Sequence, residues 1–318
     1  MPALLLILAC ALWAVSFPLV KVLHLEQSAR LTGASTLFLA SWMQFARFGL
    51  GALMLLPFVF GKSRPTPNEI RQGLIIAFWG GFGMWIQADA LAYTEASTSA
   101  FLTQAYCIFL PLWACIRTRR SPGIKVTLAT IMVLAGGAIL SGIRPDHFHL
   151  GRGEIETLLA AFLFTFQILS LENPRYERNR GIPVSFVMFL GIAALFIPVT
   201  AITAPDLRSC LTAGASIESF VLVASLALFC SVGAYVLMNV WQPRVSATEA
   251  GLIYTIEPVF TAVYVLFLPV VLGRFVGENY PNEVITTQLV SGGSLILAAN
   301  ALMQWKKKPH LPPAGPVE

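Results

Sequence analysis

Residues 183–204 read PVSFVMFLGIAALFIPVTAITA, 22 residues without one charged side chain. A hydrocarbon layer about 30 Å thick takes roughly 20 helical residues per crossing, so this stretch has the length and chemistry of a spanning helix. An open sheet edge leaves backbone amides unpaired in lipid, and barrel strands are shorter and alternate in polarity, so the segment is helical. Nine further apolar stretches read the same way, at 3–23, 35–60, 70–91, 95–116, 123–143, 153–172, 217–240, 247–272 and 284–303. The expected fold is an all-α integral membrane protein of ten transmembrane helices.

The whole chain agrees with that reading. Of its 318 residues 56% are hydrophobic and 12% charged, where soluble domains carry about 25% charge. Its mean hydropathy is +0.73. Too few charges remain to coat a water-facing surface, which excludes an ordinary soluble enzyme. The formal charge of +5 is therefore read loop by loop. Placing the N-terminus in the cytoplasm puts 14 loop and tail Lys and Arg on the inner side, including Lys62, Arg64, Arg180 and Lys306. Only Arg30, Arg144, Arg152, Arg208 and Arg274 fall outside. The positive-inside rule then sets both termini in the cytoplasm of a multi-pass protein of the inner or plasma membrane. These basic residues serve as orientation anchors, and nucleic acid is not an expected partner. The first span lacks a basic leader and a cleavage site, so it reads as retained. The cysteines imply no disulfide framework, and residues 306–318 read as a disordered cytoplasmic tail.

Sliding the second half over the first reveals a repeat. A shift of 150 residues lays Gly83 on Gly233, Trp85 on Tyr235 and Asp89 on Asn239, and a shift of 156 lays Gly136 and Gly137 on Gly292 and Gly293. The fourth and ninth spans each carry a proline, Pro111 and Pro258. Five helices is an odd number, so two copies, 1–145 and 150–305, enter the membrane from opposite sides as inverted repeats. That architecture recurs in secondary transporters.

The first span contains LWAVSFPLVK, with Trp13 and Lys21, and Arg47-Phe48 follows in the second. The third and fourth spans join through ALAYTEASTSAFLTQAYCIFLPLWA, the eighth and ninth through NVWQPRVSATEAGLIYTIEPVFTAVYV, and a Gly-rich tenth span closes the chain. Together these resemble the EamA-type permeases of the drug/metabolite transporter superfamily. The resemblance implies two inverted five-helix repeats, a central cavity lined by spans 1 to 4 and 6 to 9, and export or exchange of small metabolites. The chain departs from the family in IRTRRSPG after the fourth span, where a Gly-Glu pair is usual, and in Trp13-Ala14 for the usual Trp-Gly.

An ionisable group inside a span needs a partner or a task. Lys21 and Asp89 fall near the outer face and are placed to pair, as gating or structural charges. Arg47 and Glu257 fall near mid-depth, to pair or to face one water-filled cavity. Candidate substrate-binding residues are Trp13, Phe17, Arg47, Trp85, Gln104, Tyr106, Gln167, Tyr235, Asn239, Tyr254 and Glu257. Aromatic and amide side chains of this kind suit a small amphipathic solute, and opposite charges suit the carboxylate and amine of an amino acid. Pro18, Pro111, Pro198 and Pro258 are candidate kinks. His24, His147, His149 and His310 fall outside the predicted spans, Asp89 is the one aspartate within them, and the chain has no GxxxxGK[ST] loop. An intramembrane hydrolase and an ATP-driven pump are thereby disfavoured, and no catalytic residue, metal or cofactor is expected. The partners are a small-molecule substrate and the bilayer, with the oligomeric state unassigned. A non-transporting scaffold or receptor is the alternative.

Overall fold

The computed structural model describes residues 2–119, 123–140, 150–171, 173–245, 250 and 253–304. The His147-x-His149 pair, His310, Arg144, the Lys306–Lys308 run, the 306–318 tail and the first repeat's boundary at 145 lie outside the described residues. Those described form helices and connecting turns, with no strand among them.

Five helical stretches are long and apolar enough to cross a membrane: Pro2–Arg30, Thr36–Val59, Arg152–Leu171, Gly181–Thr203 and Ile217–Arg244. The first joins α1 (Pro2–Ala14) to α2 (Ser16–Arg30) across Val15. Pro18 has no N–H for the carbonyl four residues earlier, which is Ala14's, so the helix is interrupted there. α3 (Thr36–Leu55) and α4 (Pro67–Ala90) follow. The predicted fourth span is two helices, α5 (Ala96–Thr103) and α6 (Tyr106–Thr118), and α7 (Ile124–Leu140) comes next. α8 (Arg152–Leu171) and α9 (Gly181–Thr203) are continuous, and α9 runs unbroken through Pro198. After the short α10 (Leu207–Thr212), α11 (Ile217–Ser225) passes through a π-helical stretch, Leu226–Gly233, into α12 (Ala234–Trp241). α13 (Glu257–Tyr264) and α14 (Leu268–Val276) meet at 59°, and α15 (Thr287–Gln304) ends the described chain. Counted as one bent span, α13 and α14 raise the number to six.

Three expectations need correction. The first helix runs seven residues past the predicted end at 23, so His24 is buried within it. Polar partners hold the added turns: Gln27 Nε2 donates to the Ala213 carbonyl at 3.0 Å, and Ser216 and Ser219 donate to the Glu26 carboxylate at 2.7 and 2.6 Å. Pro111 lies inside α6, and the break of that span falls earlier, at Gln104–Ala105. Pro258 opens α13 and does not kink it midway, because a ring without an N–H fits a first turn whose N–H groups have no intrahelical acceptor. The sharp bend comes at 265–267, ahead of Pro269. Pro269 cannot donate to the Val265 carbonyl, which accepts instead from Glu283 N at 2.9 Å.

The helices pack in matched pairs. α3 lies along α9, α7 along α15, α4 along both α8 and α9, and α1 along α12 and α13. Glycine permits the closest approach: a Cβ on Gly136 would sit 2.8 Å from the Gly292 carbonyl, and one on Gly292 would sit 2.7 Å from the Gly136 carbonyl.

At one end of the bundle, Thr66 caps α4 in a reciprocal box, its Oγ1 accepting from Glu69 N while Glu69 Oε2 accepts from Thr66 N at 2.7 Å. The same carboxylate accepts from Arg180 Nε at 2.8 Å and from Arg180 N at 2.9 Å, tying α4 to the start of α9. Glu69 precedes the predicted 70–91 span. Burial opposes its charge, but the Arg180 and Thr66 hydrogen bonds and the Arg180 charge outweigh that and hold its carboxyl down at about 2, against an ordinary 4.5. A depressed folded-state value stabilises above the unfolded value and is lost as pH falls through the folded one. The melting-temperature advantage of the parent over Glu69→Gln should therefore be constant above pH 4.5 and close between there and pH 2.

Candidate functional site

Side chains from α1, α2, α3, α4, α5, α6, α8, α12 and α13 line a cavity of about 90 Å³. That is room for a few ordered waters. Of the predicted residues, Trp13, Phe17, Arg47, Tyr106, Gln167, Tyr235, Tyr254 and Glu257 line it.

Three do not. Trp85 packs on Phe82 and Phe196 and donates its Nε1 to the Leu37 carbonyl at 3.2 Å. Gln104 is fully buried, its Oε1 accepting from Tyr106 Oη at 3.1 Å. Asn239 donates to Ser185 Oγ at 2.9 Å and lines a separate groove at the helix ends. Sequence reasoning missed Ser16, Gln44 and Thr103, which also line the cavity, as does Gln87, one of the amide side chains of the predicted spans. Gln44 precedes Arg47 by three residues and so shares its helix face, a spacing that points to it.

Close packing aims these groups inward. A Cβ on Gly80 would sit 2.7 Å from the Gln167 amide, and one on Gly83 would sit 2.7 Å from the Phe164 ring, so bare glycine lets α4 approach α8. Trp13 stands against Tyr235 and Tyr254, with centroids 5.1 and 5.6 Å away. Tyr254 Oη donates to Gln242 Oε1 at 2.7 Å, and Gln87 Nε2 donates to Thr103 Oγ1 at 2.7 Å.

Arg47 and Glu257 face the same space without forming an ion pair among the described residues. Arg47 Nε donates to Ser231 Oγ at 2.6 Å, and its guanidinium lies 5.0 Å from the Phe48 ring centre. Ser231 belongs to the π-helical stretch, a feature frequent at functional sites. The Glu257 carboxylate has no hydrogen-bond or ion-pair partner among the described residues. Trp13 Nε1 and both amide atoms of Gln44 are buried and also have no partner among the described residues. Unspent donors and acceptors around one cavity are groups that a polar ligand can satisfy.

The break between α5 and α6 covers Gln104 and Ala105, and the turn ahead of α13 covers Thr255 and Ile256. Thr103 and Tyr106 flank the first, Tyr254 and Glu257 flank the second, and all four line the cavity.

The predicted pairing of Lys21 with Asp89 is not what forms. Lys21 Nζ reaches Glu95 Oε2 at 3.0 Å and the Thr94 carbonyl at 2.8 Å. Asp89 instead binds the Arg152 guanidinium, which also holds Glu156 at 2.7 Å and covers the Tyr93 ring at 4.2 Å. The turn after α4 carries Glu95 to Lys21, and α8 begins with Arg152 beside Asp89, so each charge meets a partner on a neighbouring element.

Residues 1–142 match the EamA-like transporter family. An uncharacterized transporter of Archaeoglobus fulgidus is 22% identical over 272 residues, covering 83% of this chain and 88% of that protein. A solved structure described only as "Crystal structure of protein" aligns with TM-score 0.58 and 18% identity over 95% of each chain, a likeness of fold. The likeness to EamA-type permeases carried by the sequence motifs is thus found again by the family match, in a multi-pass membrane protein.

Proposed function

We propose that this chain, EamA-like over residues 1–142, is a secondary transporter that carries a small organic metabolite by alternating access. The carrying observation is the pair of interrupted helices, α5–α6 and the segment entering α13, whose flanking residues Thr103 and Tyr106, Tyr254 and Glu257 line one cavity. Interruptions at corresponding places in two halves mark the binding site in repeat-built transporters, because irregular backbone is tolerated at membrane depth where it lines a cavity.

The matched packing supports ten helices in two inverted repeats of 1–145 and 150–305; the loop Lys and Arg bias, not the packing, is what supports both termini being cytoplasmic in an inner or plasma membrane. Numbering the predicted spans in order, a two-fold relation exchanges span n with span n + 5. Pairs 2 with 7 and 5 with 10 map onto themselves under it and can meet at the axis, as the α3–α9 and α7–α15 pairs do. The relation requires 3 against 6 to be mirrored by 8 against 1, the α4–α8 and α1–α12 pairs. The reciprocal Gly136–Gly292 approach fits an axis passing between α7 and α15.

The substrate class follows from the unspent groups. Arg47 and Gln44, one turn apart on α3, suit a carboxylate; Glu257 beside Trp13 and Tyr254 suits an amine, with aromatic faces for the cation. An amino acid or a similar amphipathic solute meets both. Purified protein screened against amino acids and their amines by thermal shift should find a ligand that stabilises by about 2.7 kcal/mol at 100 times its Kd. The same compound should then be carried into proteoliposomes. Binding without flux for every compound favours a receptor, and an amino-acid set that neither binds nor crosses refutes the substrate class.

A further inference from the structure

The shift of 150 residues that lays Gly83 on Gly233 also lays Arg30 on Arg180, Thr66 on Ser216 and Glu69 on Ser219. These six residues meet in two clusters. In the first, Thr66 caps α4 and Arg180 grips the capped turn: its Nε and Nη2 donate to the Glu69 carboxylate at 2.8 and 2.9 Å, and Nη2 donates to the Arg64 carbonyl at 2.8 Å. In the second, Ser216 caps α11, its Oγ accepting from Ser219 N at 3.0 Å, and Arg30 grips that turn. Arg30 Nη2 donates to Ser219 Oγ at 3.1 Å and to the Ala213 carbonyl at 3.2 Å, while Nη1 donates to the Thr212 carbonyl at 3.0 Å.

The carboxylate that Glu69 supplies has no counterpart in Ser219, and Glu26 of α2 takes its place, accepting from Ser216, Ser219 and Arg30. Cap hydroxyl, carboxylate, arginine and loop carbonyl thus recur as an arrangement even where the residue type has changed. In both clusters the arginine comes from one half of the chain and the capped helix from the other.

The clusters lie at opposite ends of the bundle. Asn239 and Val240, near the end of the 28-residue stretch Ile217–Arg244, share a groove with Arg180, so Ser219 at the start of that stretch is a helix length away. Later turns of the same two helices line the central cavity, with Met84 and Gln87 on α4 and Tyr235 and Met238 on α12. A helix held at its first turn cannot swing away from the cavity at that end. The side chains of Arg180 and Arg30 are 45% and 32% exposed, so water can take over their donors when a grip is released.

We infer that the two clusters are alternating latches: Arg180 on Glu69 closes one entrance to the cavity, and Arg30 on Ser219 with Glu26 closes the other. This rests on the inverted-repeat transporter reading above. Each entrance opens when its arginine releases the opposite half.

The test is sided labelling of the full chain carrying Ser16→Cys in the cavity wall, reconstituted in one orientation and exposed to a membrane-impermeant maleimide from either side. The parent, whose Cys10, Cys107 and Cys230 are buried, gives the background. Arg180→Gln should speed labelling from the Glu69 side about tenfold, the scale of a lost hydrogen bond to a charged group, without speeding it from the other side. Arg30→Gln should do the reverse. Arg180→Lys and Arg30→Lys keep the charge without the planar fork, so they should shift the rates in the same directions by less, and they serve where a Gln variant fails to fold. Equal acceleration from both sides, or none from the released side, overturns the latches and leaves the arginines as static anchors. The labelling needs no substrate, so a failure of the transporter reading shows separately, as sided labelling without flux.

Discussion

Glu257→Gln should fold and melt like the parent protein while its flux falls about 10- to 100-fold. The asymmetry follows from the site. Arg47 is held by Ser231 and Phe48, so removing the Glu257 charge strands no counter-ion and leaves a side chain of the same shape. What is lost is a charged acceptor for the substrate amine. A hydrogen bond to a charged group is worth about 1.5–3 kcal/mol, and each 1.4 kcal/mol is tenfold in affinity. Melting temperature and proteoliposome flux measured on one preparation check both halves. A variant that carries substrate at the parent rate removes Glu257 from the site, and one that unfolds shows that the carboxylate is a structural anchor.

The lipid-facing segments were readable because apolarity over a span is a local property: 183–204 became Gly181–Thr203 within two residues. The cavity was readable for a related reason, since a charged Arg47 or Glu257 in an apolar stretch stands out against its surroundings. Backbone irregularity without a marker residue was not. Gln104 and Ala105 include neither Pro nor Gly, yet the helix breaks there, and nothing in LALFCSVG announces the π-helical turn that carries Ser231 to Arg47. Proline misled in the opposite direction, because Pro198 rides inside a continuous α9 where neighbouring helices can satisfy the freed carbonyl. The charge partners were hidden because depth along a helix is a one-dimensional coordinate. Lys21, Asp89, Glu95 and Arg152 share a level, and only the packing of α2, α4 and α8 decides which of them touch.

That packing sets the last expectation. Asp89 is 0% exposed and its guanidinium partner Arg152 is 47% exposed. Arg152→Met should be strongly destabilising, by about 3 kcal/mol, the lower end of the range for breaking a buried pair, because it leaves Asp89 charged in the interior and frees Glu156 beside it. Asp89→Asn removes the charge that makes the loss costly, so the double variant Asp89→Asn with Arg152→Met should recover a large part of the stability. Lys21→Met should cost under about 1 kcal/mol, since its partner Glu95 is 61% exposed and exposed pairs contribute little. Lys21→Met and Asp89→Asn should be additive, because the two side chains bind different partners. Unfolding free energies of the three single and two double variants settle the arrangement. Coupling between Lys21 and Asp89, or additivity between Asp89 and Arg152, would mean that the charges at this end of the bundle pair differently from the structure.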